Sequence, residues 1–257
     1  MDAPRDQEPR RNKHHDQIFG DFDGDGAVEL VSWNQRAHAL LLFEIPAEDA
    51  DRACMDRAND LRMDRRGARG VAAADVNGDG VTDLVGGGRW FEHRGEGKFE
   101  AHVIDDAFRF SRAAAGQLVE GGTPEVVFAP GDVDGPIRWY EYTGGEWVGH
   151  DLPNNQLIHG HSIGLGDVNG DGHADILSAE MGQWGKRPDQ HNDDARLRVY
   201  YGDGKGRFVE QLIVRGEGNH ETRLADLDGD GDLDILAKPY NWRTPRIDVW
   251  INEGPAK

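Results

Sequence analysis

Asp75-Val-Asn77-Gly-Asp79-Gly80-Val81-Thr-Asp83 carries the spacing that decides the fold, and the chain repeats that spacing three more times. The other copies are Asp21-Phe-Asp23-Gly-Asp25-Gly26-Ala27-Val-Glu29, Asp167-Val-Asn169-Gly-Asp171-Gly172-His173-Ala-Asp175 and Asp226-Leu-Asp228-Gly-Asp230-Gly231-Asp232-Leu-Asp234. Acidic or amide side chains occupy positions 1, 3, 5 and 9, and glycine occupies position 6. Calcium is bound by six to eight oxygens, which loops of this type supply from alternate side chains and a backbone carbonyl at position 7. The expected donors are the side chains named above, with the carbonyls of Ala27, Val81, His173 and Asp232. Glycine at position 6 permits the left-handed backbone that folds such donors inward. The alternative is a hydrated acidic turn without metal.

The loops differ from an EF-hand, which ends on Glu at position 12 and lies between helices. Here the acid falls at position 9, and the flanks are short apolar runs such as Val71–Ala74 and Asp83–Val85. Runs that short, bounded by Gly and Asp, read as strands. A degenerate fifth copy, Gln117 to Glu125, keeps Gly122 and the final acid but loses the donors. The five copies recur every 40 to 60 residues or so, the period of a propeller blade. The second unit predicts strands at Arg69–Ala74, Val81–Gly86, Arg89–His93 and Lys98–Ile104. Leu197–Tyr201 and Arg207–Val214 are the outer strands of the fourth. The fifth has His220–Ala225, Leu233–Lys238 and Arg246–Asn252, with its outer strand expected from the N-terminal segment.

The expected fold is therefore all-β: one five-bladed β-propeller domain over residues 1–257, of four-stranded antiparallel blades with a calcium loop between the first two strands. The blades fall near 13–64, 65–106, 107–153, 154–214 and 215–257. Composition agrees. The chain carries a formal charge of −19 and has 35 glycines and 7 tryptophans. An acidic surface argues against nucleic acid, whose phosphates need basic patches, and no apolar run approaches the ~20 residues of a membrane span. Clustered carboxylates repel without a cation, which couples folding to calcium. Weak calcium sites fill outside cells, so a secreted or periplasmic setting is expected.

The repeated Asp-x-Asp/Asn-x-Asp-Gly-x-x-Asp/Glu loop between short strands resembles the FG-GAP/VCBS repeat family of calcium-binding β-propellers. That family includes adhesion domains, lectin-like modules and carbohydrate lyases, so the resemblance implies a fold more than a function. Two segments, His159-Gly-His161-Ser-Ile-Gly-Leu-Gly-Asp167 and Asn219-His220-Glu221-Thr-Arg223-Leu-Ala-Asp226, are similar to blades of the aldos-2-ulose dehydratase type of sugar lyase. That similarity implies an elimination on a keto-sugar. This chain is much shorter than that type and lacks its added domain.

Register supplies candidate site residues. The residue six before each loop's first position lies at the far end of the innermost strand, and these are His15, Arg69, Ser111, His161 and His220. The second strand returns to the same end at Trp33 and Asn34, Arg89 and Trp90, Glu180, and Lys238 and Tyr240. Such a mouth holds the ingredients of acid–base work. For an elimination, His161 or His220 is cast as base, Arg69 and Lys238 as enolate stabilisers, and Glu180 or His15 as the acid. Trp33, Trp90 and Trp242 are candidates to stack on sugar, with Asn34, Arg89 and Tyr240 beside them. A second chemistry uses His15, His161 and His220, with Glu180, to bind one transition metal. The bland reading is that these side chains bond neighbouring backbone, and the competing function is a noncatalytic glycan- or protein-binding module. The long stretch from Gly182 to Asp194 is either a lid or a solvated insertion.

Overall fold

Five largely apolar runs each become the second strand of an antiparallel sheet, and three of them are buried along their whole length. The computed structural model describes residues 14–34, 39–45, the backbone of 57–62, 70–95, 97–239 and 246–254. Sheet 1 holds β1 (His14–Gly20), β2 (Glu29–Asn34), β3 (Ala39–Glu44) and β4 (Arg57–Arg62). Sheet 2 holds β5 (Ala72–Ala74), β6 (Asp83–Gly86), β7 (Arg89–His93) and β8 (Phe99–Val103). Sheet 3 holds β9 (Ser111–Gly116), β10 (Glu125–Pro130), β11 (Gly135–Thr143) and β12 (Glu146–Leu157). Sheet 4 holds β13 (Gly160–Gly166), β14 (Asp175–Glu180), β15 (Arg196–Gly202) and β16 (Phe208–Arg215). Sheet 5 has three described strands, β17 (Asn219–Ala225), β18 (Asp234–Pro239) and β19 (Asp248–Trp250).

Every sheet is an up-and-down meander in chain order, and the fold class is that of a five-bladed β-propeller. Two single-turn 3₁₀ segments, Asp106–Phe108 and Pro188–Gln190, are the described helical elements. No described helix is long and apolar enough to cross a membrane. Each acidic loop joins the first strand of its sheet to the second, and β7 coincides with the run predicted from sequence. The N-terminal outer strand expected to complete sheet 5 lies outside the described residues.

The chain divides into two compact units, residues 1–113 and 114–257. The first packs Phe22, Val31, Trp33, Leu40, Leu42, Val71, Leu84 and Phe91 into one core. In the second, Val127, Ile137, Trp139, Ile176 and Tyr200 form one cluster, and Leu177, Ala179, Val199 and Ile235 another. Burial separates the strands by rank: β10 and β14 are buried throughout, whereas β16 alternates toward solvent. A strand covered on both faces loses its alternation and reads as a continuous apolar run. Each fully buried Val, Ile or Leu there contributes about 1.5–3 kcal/mol.

Two irregularities place the chemistry. In β13, Gly160 faces Glu180 and Ser162 faces Ala179, so His161 is an extra residue in the ladder. In β17, Asn219 faces Pro239 and Glu221 faces Lys238, which leaves His220 as the extra one. A bulge bends the strand and re-aims the inserted side chain. Sheet 1 has its own shift, but there the extra residue is Asp16 and not His15.

Candidate functional site

The acidic loops share one wiring. The first Asp accepts at least two backbone N–H groups: Gly24 and Gly26 donate to Asp21 (2.7 and 3.0 Å), Gly78 and Gly80 to Asp75, Gly170 and Gly172 to Asp167, and Gly229 and Gly231 to Asp226. The position-7 N–H donates to the position-5 carboxylate, as in Ala27 to Asp25, Val81 to Asp79, His173 to Asp171 and Asp232 to Asp230. Asp23, Asn77, Asn169 and Asp228 at position 3 each accept from the position-5 N–H. These bonds curl the chain, and positive-φ glycines make the curl possible, as at Gly24 and Gly26 (φ 83° and 88°).

The final acid does more than sequence suggested. Glu29, Asp175 and Asp234 are buried, and each accepts the position-2 N–H of its own loop, at 2.6 to 2.8 Å. Asp83, Asp175 and Asp234 also accept an N–H from the end of the third strand or just beyond it, donated by His93, Gly202 and Asn252. This carboxylate ties the loop to its sheet. Glu125 does the same in the degenerate loop, accepting from Leu118 and Val119 at 2.7 and 3.1 Å. The fifth loop thus lost its donors and kept its clamp.

Two of the four loops gather their carboxylates as a hard cation needs. Asp21, Asp23, Asp25 and Glu29 present oxygens within 4.8 Å of one another, as do Asp226, Asp228 and Asp230. Glu29 Oε1 is buried with no hydrogen-bond partner among the described residues. A buried oxygen left this way is costly, and an ion would satisfy it. Burial, and then the charges of Asp79 and Asp75, push Asp83 up to about 7 against the pull of the His93 N–H. Burial likewise raises Glu29, with Asp23, Glu44 and Asp21 adding to it. Asp234 runs the other way, held down by the N–H groups of Asn252 and Leu227.

A second cluster lies in the second unit. His161, 1% exposed, places Nε2 2.8 Å from Asp132 Oδ1 and Nδ1 3.9 Å from Glu221 Oε1. His220 places its own Nδ1 3.8 Å from the same Glu221 oxygen, and the two imidazole centroids are 4.1 Å apart. Arg223 holds the other Glu221 oxygen at 3.2 Å, and Lys238 is the cross-strand partner of Glu221. Ser162 Oγ donates to the His220 carbonyl (3.3 Å), linking β13 to β17. Asp132 follows β10 at a positive φ of 62°, and its N–H donates to the Gly160 carbonyl.

Of the residues expected from register, His161, His220 and Lys238 come together here. Glu180 does not join them: it is buried in an ion pair with Arg198 (2.7 Å) and also accepts from Ile158 N, Asn192 Nδ2 and Arg196 N. Saturated by these donors, it is a structural anion. His15 lies half-buried on β1 opposite Trp33, in the first unit. Trp33 is a core residue at 0% exposure, packed near Phe91, so no sugar reaches it. Asn34 is buried with its Nδ2 3.4 Å from His14 Nε2. Trp90 is buried and stacks on His102, and Arg89 pairs with Asp106. Arg69, Tyr240 and Trp242 lie outside the described residues. Asp132 and Glu221 escaped the register argument.

The loop from Gly182 to Asn192 is built rather than loose. Gln183 bridges to His191, Trp184 N donates to Gln190 O, and Asn192 N to Gly182 O. Trp184 stacks flat on His159, with centroids 3.9 Å apart and planes 4° from parallel.

Fold and loops together define an Asp-loop β-propeller. Residues 122–178 and 187–237 match the FG-GAP-like repeat. No curated protein matches the chain. Among solved structures, it is similar to the V. cholerae biofilm matrix protein Bap1, at 18% identity and a TM-score of 0.54, over 95% of this chain and 38% of that one. It also aligns with the exotype rhamnogalacturonan lyase YesX, at 15% identity and a TM-score of 0.49, over 94% and 47%. The chain spans less than half the length of either, and at such identities the likeness concerns the fold.

Proposed function

We propose that the protein is a calcium-stabilised β-propeller acting on carbohydrate, a lyase that removes water from a keto-sugar at the His161–His220–Glu221 cluster. Calcium sits in the four acidic loops, held by the side chains at positions 1, 3, 5 and 9 and the carbonyl at position 7. Such loops fill where calcium is plentiful, so the protein works in a secreted or periplasmic setting.

The observation that carries the reaction is the Asp132–His161 contact, a buried imidazole oriented by a carboxylate beside a second imidazole and a second carboxylate. A base so oriented is the general form of a proton-transfer site. In the elimination, the C–H bond next to the carbonyl breaks and its proton passes to the cluster. Positive charge from Arg223 and Lys238 steadies the enolate. The carbon–carbon double bond then forms as the neighbouring C–O bond breaks, and the hydroxide leaves as water with a proton from the cluster. The two segments that carry His161 and His220 are also those that resemble the aldos-2-ulose dehydratase type.

Incubation with a panel of 2-keto-sugars, followed by mass spectrometry for loss of one water, tests this. His220→Ala should slow a detected dehydration by about 10²-fold or more without lowering the melting temperature in calcium. Turnover of no keto-sugar, with retained glycan binding, would transfer the assignment to a noncatalytic binding module.

A further inference from the structure

We infer that His161, His220 and Glu221 bind one divalent transition-metal ion of the zinc class, at a site separate from the four acidic loops. The inference rests on the site described above and not on the reaction proposed for it.

Three potential ligand atoms converge. His161 Nδ1 and His220 Nδ1 face the same oxygen, Glu221 Oε1, at 3.9 and 3.8 Å, and one ligand atom from each of the three residues falls within a 4.8 Å limit. Those separations exceed a hydrogen bond and suit an ion seated between the atoms. Zinc bonds of about 2.0–2.1 Å in tetrahedral geometry put ligand atoms roughly 3.3 Å apart. Closing the gap takes about half an ångström, within reach of small side-chain rotations.

The surroundings match a metal centre. Asp132 Oδ1 sits 2.8 Å from His161 Nε2, and the other ring nitrogen, Nδ1, lies on the side of Glu221. A carboxylate behind a ligating imidazole is the usual device for fixing its tautomer and orientation. Arg223 holds Glu221 Oε2 at 3.2 Å and so turns Oε1 toward the rings. The two β-bulges that insert His161 and His220 into their ladders bring the rings together from adjacent strands.

The donor set selects the ion. Calcium takes oxygen donors, whereas two imidazoles with one carboxylate suit zinc, iron or cobalt. Three protein ligands leave a fourth position open, as in catalytic zinc sites. A water there would be acidified by the ion and could carry the protons that the imidazoles otherwise move.

The experiment uses the full chain in millimolar calcium, cleared of transition metal with 1,10-phenanthroline and titrated with Co²⁺ and then Zn²⁺. The expected result is one Co²⁺ per chain with visible absorption bands of low coordination number, displaced by Zn²⁺. His220→Ala and Glu221→Gln should each weaken binding at least ~100-fold, and Asp132→Asn by about 10–100-fold. Bound calcium should stay unchanged in all three. His220 is the primary site of substitution because its half-exposed ring can be removed without opening a buried cavity. Absence of stoichiometric Co²⁺ uptake by the wild type overturns the inference. So does an unaltered Co²⁺ spectrum in the His220→Ala/Glu221→Gln double variant, which would assign uptake to other histidines. Dehydration by a protein that takes up no metal would overturn the metal site and leave the imidazoles as direct proton carriers. Metal uptake without dehydration would support the site and remove the lyase.

Discussion

Glu180→Ala separates structure from catalysis more sharply than any other change. The wild-type carboxylate meets the fully buried Arg198 guanidinium at 2.7 Å and accepts three further N–H donors, from Ile158, Asn192 and Arg196. Removing one partner of a buried pair typically costs 3–5 kcal/mol, because the remaining charge stays in a low-dielectric site. Arg198 keeps part of its compensation from Glu210 at 3.3 Å and the Asn154 carbonyl at 3.3 Å, which places the loss near the lower end. About 3 kcal/mol corresponds to a fall of roughly 6–12 °C in melting temperature for a domain of this size. Circular dichroism melts at fixed, saturating calcium measure it. Glu180→Gln should lose a similar amount, since a carboxamide cannot neutralise Arg198. Adding Arg198→Met to Glu180→Gln should recover part of the loss, because no uncompensated charge remains. A melting temperature within ~2 °C of wild type for Glu180→Ala would refute the structural assignment. Lost dehydration at unchanged stability would then return Glu180 to the role of acid.

Chelation with EGTA should lower the melting temperature and make it depend on calcium concentration, each site contributing about 2.7 kcal/mol at a hundredfold excess over its Kd. In EGTA, Asp83 ionises near pH 7 when folded and near 3.8 when unfolded, so stability should fall as pH rises from about 4 to 7. Denaturant titrations at the two pH values, repeated in excess calcium where the fall should vanish, check the sign. Glu125→Ala strands the N–H groups of Leu118 and Val119 and should cost about 2–3 kcal/mol, equally in calcium and in EGTA. Gly218→Ala should destabilise by at least ~2 kcal/mol, since Gly218 sits at φ +52° and a Cβ would lie 2.1 Å from Gly182 N; an unchanged melting curve would contradict that packing.

The fold was legible because its signal is local and repeated. Nine residues suffice to define each acidic turn, and the strands on either side are short runs with no competing helical period. The candidate site was only half legible. His161 and His220 emerged from their shared register, but Glu221 did not, because strict alternation sends neighbouring side chains to opposite faces. The bulge at His220 breaks that alternation, and a bulge leaves no mark in composition. Asp132 lies 29 positions before His161 in the chain, and their meeting depends on a positive-φ backbone next to Gly160. Trp33 shows the opposite error. Its ring looked suited to sugar, but β2 is almost wholly buried and takes the indole into the core.

The metal-free clamp of sheet 3 bears on how the chain finds its structure. Glu125 organises its turn from protein groups alone, and the hairpin from β11 to β12 closes through Gly144 and Gly145, both at positive φ, over a short stretch of chain. Contacts this local form quickly. If the other four turns bind calcium as proposed, sheet 3 is the portion whose turn needs no cation. Calcium-poor medium would then weaken the four acidic turns and leave the turn of sheet 3 as it is.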